Sequence, residues 1–323
     1  MTPDPTILVA GDALVDSVPN DPGSPAQAGG YRPMFGGSGS NVAMALSRLG
    51  VPPLCWTRLA TDDLGTFLRA HFEASEIPPD LLVTDEDART TLSLVTHDAD
   101  RKPSYAFYRD RGADTRLHPG TVPDDTVRAM SWVHTTGVTL SAEPSRSATL
   151  ELQSRAADAC PVSLDPNWRP EMWHSRHEFR AVVRGALPDV DVVTATPEEL
   201  SVAGFEADDH VELARSVTET GPHTVVLTLG DEGAFCYGTD ESPVAGRADH
   251  GGYDVEPVDT TGAGDAFVAA FIAALTHGVR DPYRAVAIAN AAGAVATTWV
   301  GAVTALTGPA ALRRVTGDVP WVS

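Results

Sequence analysis

The stretch DTTGAGDAFVAAFIAAL, residues 259–275, brings together the residue types that phosphoryl chemistry needs. Gly262, Ala263 and Gly264 have almost no side chain, so their backbone N–H groups can approach an anion closely at the start of a helix. Asp265 follows in the first turn. A carboxylate repels a bound phosphate, but it is useful if it accepts the proton of a hydroxyl that attacks that phosphate. A glycine-rich turn capped by an aspartate has the same spacing, and the stretch taken alone leaves both readings open. A second stretch, GGSGSN at residues 36–41, precedes another helical pattern. Its glycines permit unusual φ or close backbone approach, and Asn41 offers a polyol both a donor and an acceptor. A dinucleotide fingerprint begun at Gly37 and Gly39 would need its third glycine where Val42 stands.

These residues need a scaffold, and the hydrophobic pattern supplies one. Apolar runs at Ile7–Gly11, Trp132–Thr136, Val162–Asp165, Val190–Thr194 and Thr224–Leu229 predict buried strands. Helical spacing follows several of them, at Asn41–Leu49, Pro144–Ala157, Glu198–Ala203 and Ala266–Leu275. Alternating strand and helix argues for an α/β fold with a mainly parallel central sheet covered by helices on both faces. Two stretches break the rhythm. Residues 13–35 are rich in Gly, Pro and Asp, and residues 90–108 alternate in places; both predict short strands that pair into a small accessory sheet. No linker divides the 323 residues, so one domain is expected over 1–323.

Composition narrows the partners. The formal net charge of -21 disfavours nucleic acid and anionic membrane surfaces. No apolar run suits a membrane span and the N-terminus lacks a signal pattern, so a cytoplasmic protein acting on a small molecule is expected. Lys102 is the sole lysine and follows Arg101, which excludes a GxxxxGK[ST] phosphate loop. Cys55, Cys160 and Cys236 are too far apart for a CxxC motif and predict buried thiols. His174 and His177 have metal-ligand spacing without a third ligand and predict a surface pair.

With these motifs in order and far apart, the chain resembles sugar kinases of the ribokinase (PfkB) family. GGSGSN resembles the family's N-terminal signature and DTTGAGD its C-terminal one. GDALVDSV (Gly11–Val18) resembles the first strand with its sugar-binding aspartate, here Asp16. TPEEL (Thr196–Leu200) resembles the NxxE metal motif, with Thr196 at the asparagine position. TLGDEG (Thr228–Gly233) resembles the nucleotide-binding turn, and Ala289–Ala292 the late helix beside adenine. The resemblance implies a ribokinase-like fold with a small β-sheet lid, formed by segments near 13–35 and 90–110. It also implies ATP as phosphoryl donor. Asp265 becomes the general base, with the amides of Gly262, Ala263 and Gly264 holding developing phosphoryl charge. Asp16, Asn41 and the backbone at Gly37 bind sugar; Thr228, Gly230, Gly233 and Asn290 bind nucleotide. Glu199 would organise Mg²⁺ through water, and Asp259 and Thr261, with backbone near Ala296 and Gly301, map to a K⁺ loop.

The sugar is suggested by three further segments. DPNWRPEMW (Asp165–Trp173), SAEPSRSA (Ser141–Ala148) and FYRDRGAD (Phe107–Asp114) most resemble fructokinases. Arg109 and Arg169 are candidate ligands for an anionic group, since a guanidinium forks onto carboxylate or phosphate. The 2-keto-3-deoxygluconate kinases commonly carry tyrosine at the place of Phe107, so fructose is favoured and the keto-acid is the alternative. A family member that binds without catalysis is a third reading, disfavoured by the retained Asp265, glycines and Glu199. Exposed lid edges would allow pairing into a homodimer.

Overall fold

Runs such as ILVA at Ile7–Ala10 and TVVLT at Thr224–Thr228 are buried almost throughout, as strands covered on both faces must be. The structure, a computed structural model, describes residues 6–20, 28–97, 103–302, 306 and 308–321. Among these, nine strands form the central sheet. From one edge they run Gly246–His250, Ala234–Gly238, Thr224–Thr228, Val192–Ala195, Val162–Asp165, Trp132–Thr136, Ile7–Ala10, Leu54–Ala60 and Leu82–Asp85. The first two pairings, which link the first three strands, are antiparallel and the remaining pairings are parallel. Apolar clusters fill both faces, one centred on helices Ser38–Arg48, Ala263–Thr276 and Pro282–Ala296, the other on Ser145–Ala157 and Arg176–Ala186.

A separate four-stranded sheet is built from the two segments that broke the rhythm, in the order Tyr31–Gly36, Leu14–Pro19, Leu92–His97, Pro103–Tyr108. Its middle pair is parallel and its outer pairs antiparallel. Parts of both expected lid segments, residues 21–27 and 98–102 with Lys102, lie outside the described residues.

Parallel strands place their carboxyl ends on one side, where loops can converge on a ligand. Asp12 follows Ile7–Ala10, Asp165 ends Val162–Asp165, Thr196 follows Val192–Ala195 and Thr228 ends Thr224–Thr228. The two glycine-rich signatures meet this edge through a close contact: a Cβ on Gly11 would lie 2.3 Å from the Gly39 Cα, and the reverse distance is also 2.3 Å. Only a glycine pair lets the first strand and the helix Ser38–Arg48 approach so closely. Trp168 and Trp173 pack edge-on against Phe179, with ring centroids 4.6 and 5.1 Å away, while His174 and His177 are exposed.

Candidate active site

Two compartments open at the carboxyl edge of the sheet, one of about 520 Å³ and one of about 60 Å³. Both are lined by Tyr105, Asn167, Arg169, Thr261, Gly262 and Asp265, so Asp265 sits at their junction.

The junction is built at the start of the helix Ala263–Thr276. Gly262 precedes it at φ 75, a left-handed conformation suited to glycine, and a Cβ there would come within 2.4 Å of the Ala302 Cβ. The first amides of a helix have no partner within it. The N–H of Ala263 is satisfied by the Thr260 carbonyl at 3.2 Å. Gly264 lines the larger compartment, and a Cβ on it would meet no atom within 4 Å, so the absent side chain leaves open space rather than tight packing. Of residues 262–264, Gly262 and Gly264 both line the larger compartment, while the N–H of Ala263 is used within the turn.

Each oxygen of Asp265 accepts a hydrogen bond from the other signature: Oδ1 from the Ser38 hydroxyl and Oδ2 from the Asn41 amide, both at 2.8 Å. Burial raises its pKa from 3.8 to about 6, against the pull of those two donors and of the Arg169 cation; the Asp12 carboxylate adds to the rise. At neutral pH Asp265 is therefore ionised, yet a stronger base than an exposed aspartate.

The smaller compartment is rich in acceptors. Asp12, Asp16 and Asp265 all line it. Asp12 was not singled out in the sequence, although it stands four residues before Asp16 in the same motif. Its carboxylate accepts the amides of Ser38 and Gly39, both at 3.1 Å, and so caps the helix Ser38–Arg48 from a distant segment. Gly37, at φ 105, precedes that helix, and its carbonyl accepts the backbone N–H of Asn41 at 2.8 Å. Asn167 joins the group through a turn in which its own N–H donates to Asp165 at 2.9 Å, and it holds φ 44, which asparagine tolerates. The side-chain carbonyls of Asn41 and Asn167 are buried and have no hydrogen-bond partner within the protein. Both residues line the smaller compartment, so a ligand held there could supply the missing donors.

Asp16 is pushed up to about 7, chiefly by burial and further by Asp12, Asp265 and Asp259, with the Ser93 hydroxyl partly opposing. A raised carboxylate pKa lends stability that is complete below its unfolded value near 3.8 and is lost as pH rises through about 7. Asp16→Asn is therefore expected to melt at a higher temperature than the parent at pH 8, with the gap closing as pH falls towards 4. Thermal denaturation at a series of pH values checks this; a variant less stable than the parent at pH 8 would show that Asp16 is held by favourable contacts instead.

The two arginines divide. Arg109 does not line either compartment: Nε donates to Asp114 at 2.6 Å, and the terminal nitrogens donate to the Ser141 hydroxyl at 2.6 Å and the Val138 carbonyl at 3.2 Å. Its charge is paired with the fully buried Asp114 instead of facing either compartment. Arg169 borders both compartments, with its guanidinium 5.6 Å from the Tyr105 ring centroid and near Glu199, Asp165 and Asp265. Burial against Glu199 and Asp265 pushes the Asp165 carboxyl well above the ordinary range.

Thr196 and Glu199 form a capping box on the helix Pro197–Val202. Glu199 also accepts the Trp168 amide at 2.9 Å, so threonine at the asparagine position of the motif serves the helix start. Among the described residues no three His, Cys, Asp or Glu side chains are grouped to hold a metal by themselves. Glu199 does line the larger compartment, and three hydrogen bonds leave lone-pair capacity for an ordered water. Asp259 accepts the amides of Thr261 and Gly301, each at 2.9 Å, which ties the candidate cation loop together and leaves lone-pair capacity on its carboxylate.

Thr228 lines the larger compartment, whereas Gly230, Gly233 and Asn290 lie beyond its lining. Gly233 and Asn290 meet instead at His250, which no motif in the sequence singles out. A Cβ on Gly233 would lie 1.9 Å from the His250 carbonyl, and the Asn290 amide donates to His250 Nδ1 at 3.1 Å.

The model of the pfkB family carbohydrate kinase matches residues 4–307. The chain belongs to that family. It is a phosphotransferase that uses a hydroxyl of a carbohydrate as acceptor. Probable fructokinase-4 of Arabidopsis thaliana is 33% identical over 309 residues, covering 93% of each chain. Among solved structures, a Vibrio cholerae fructokinase with fructose, ADP and calcium bound is 30% identical, with a TM-score of 0.80 over 96% of this chain and 98% of its own. A Xylella fastidiosa fructokinase with bound ATP is 26% identical, with a TM-score of 0.84 over 96% of this chain and 98% of its own. Among the described residues of the kinase, no helix is long and apolar enough to cross a membrane.

Proposed function

We propose that this kinase transfers the γ-phosphoryl group of ATP to fructose. The observation that carries the choice of sugar is the chemistry of the smaller compartment. Three aspartates and two unpartnered amide carbonyls line it, so its ligand must bring several O–H donors. A carboxylate substrate would meet the charge of Asp265 beside two further aspartates, and Arg109, the sequence's candidate partner for it, is engaged by Asp114. A neutral polyol fits these demands, and the fructose-bound relative supports a ketose.

In this reading the larger compartment takes the nucleotide phosphates, with Thr228 and Gly264 on its wall. Mg²⁺ would be held through water by Glu199, and it supplies charge neutralisation across the transferring phosphate. Asp265 accepts the proton of the attacking hydroxyl as the new oxygen–phosphorus bond forms and the bond to ADP breaks. Arg169, between the compartments, faces the phosphoryl group in transit. A K⁺ ion at the loop of Asp259 and Thr261 would stiffen the turn that presents Gly262.

A coupled ADP-release assay with Mg-ATP, with and without K⁺, tests the substrate against 2-keto-3-deoxygluconate, ribose and adenosine. Fructose is expected to give the highest kcat/KM. Faster turnover of the keto-acid would overturn the reading of the acidic compartment.

A further inference from the structure

Ser38 lies at the first turn of the helix Ser38–Arg48, buried, and its hydroxyl is engaged on both sides. It donates to Asp265 Oδ1 at 2.8 Å and accepts the Asn167 side-chain amide at 3.1 Å. Its own backbone N–H is held by the Asp12 carboxylate at 3.1 Å. The hydroxyl rotor therefore has one direction left for its proton, because Asn167 can only donate to it from the amide side. The Asn167 carbonyl at the other end of that amide is buried and unpartnered, and Asn167 lines both compartments.

We propose that Ser38 is a positioning residue for the phosphoryl-transfer step, one that relays a hydrogen bond from Asn167 to Asp265 and fixes which lone pairs of the base face the sugar. The proposal rests on the reading of Asp265 as the base. With Oδ1 occupied by Ser38 and Oδ2 by Asn41, the carboxylate cannot rotate without breaking a hydrogen bond to a charged acceptor, the stronger kind. A sugar hydroxyl donating to the Asn167 carbonyl would polarise the whole chain of bonds towards Asp265. Substrate arrival and orientation of the base are thereby linked through three side chains.

The relay also sets the ionisation of the base. The groups facing Asp265 are Asp12 and Asp16 from the first strands, Asp165 and Arg169 from the turn after Val162–Asp165, and Ser38 and Asn41 from the helix. Ser38 and Asn41 favour the charged form, as does Arg169, while the aspartates oppose it. Removing the Ser38 hydroxyl leaves the opposing groups in place, so the base should ionise at higher pH.

The test is the pH profile of kcat/KM for Ser38→Ala, beside Ser38→Thr and Asp265→Asn, with folding of each checked by thermal denaturation. Ser38→Ala is expected to move the acid limb upward by roughly one unit, a tenfold loss on that limb that recovers at high pH. Ser38→Thr, which keeps the hydroxyl, is expected to restore the parent limb. A Ser38→Ala profile lowered evenly at all pH values, with its limb unmoved, would overturn the relay and leave Ser38 a packing residue. If Asp265→Asn itself retains near-parental turnover, the assignment of the base fails instead, and the two failures are distinct.

Discussion

Asp265→Asn is expected to bind sugar and ATP nearly as the parent does and to turn over at least ~10²-fold more slowly, the scale of a lost general base. The fold should tolerate the change. Asparagine is isosteric with aspartate, and the Ser38 hydroxyl can still donate to its side-chain oxygen. The Asn41 amide, whose carbonyl has no partner in the parent, can turn that carbonyl towards the new NH₂ group and satisfy both. Removing a carboxylate whose pKa burial has raised to about 6 also removes a cost of folding at neutral pH. A large fall in kcat with little change in sugar affinity is thus the signature of lost proton acceptance rather than lost structure. Binding by calorimetry and turnover by ADP release measure the two quantities separately. Turnover within a few-fold of the parent would show that the proton leaves by another route.

Gly39→Ala is expected to have the second largest effect, through geometry alone. The added methyl would lie 2.3 Å from the Gly11 Cα, a backbone atom that no rotamer change can move aside. The helix Ser38–Arg48 must then shift off the first strand, with an overpacking cost of about 1–3 kcal/mol or more. For a chain of this size that lowers Tm by roughly 1–2 °C for each kcal/mol. The shift would also pull Ser38 and Asn41 away from Asp265 and break the cap from Asp12. Since misplacement of a reacting group by 1 Å can cost ~10²-fold, kcat/KM should fall at least ~10-fold. Melting temperature and kcat/KM together decide the matter: a variant with both unchanged would mean that the strand and helix are free to separate.

Sequence legibility differed between these two predictions. Asp265 stood out because a carboxylate behind a glycine turn at a helix start is locally unusual. The Gly11–Gly39 contact was invisible, since glycine in a loop has many uses and only the approach of two segments selects one of them. The helix at Ser38–Arg48 shows the same limit: periodicity placed its start at Asn41, because Ser38 and Gly39 carry no hydrophobic signal. Asp12 extends it by accepting their amides from another element. Likewise the strand expected at Val190–Thr194 forms at Val192–Ala195, because a tight turn at Leu187–Asp189 holds the Val190 amide. The strands Leu54–Ala60, Ala234–Gly238 and Gly246–His250 were not anticipated, and the last of these is largely polar and exposed, as an edge strand can be.

By itself the sequence determined the alternation of strand and helix, the two signature loops, and the carboxylate of Asp265 behind its glycine turn. Burial on both faces of a parallel sheet writes continuous apolar runs, and close backbone approach writes glycine, so both are printed locally. The tertiary structure alone decided that Arg109 pairs with Asp114, that Asp12 and Asn167 line the smaller compartment, and that Ser38 touches Asp265 from 227 positions away. Those outcomes depend on which charges and hydrogen-bonding groups meet after the chain folds, and on how much water is removed from them. Neither quantity is a property of local spacing.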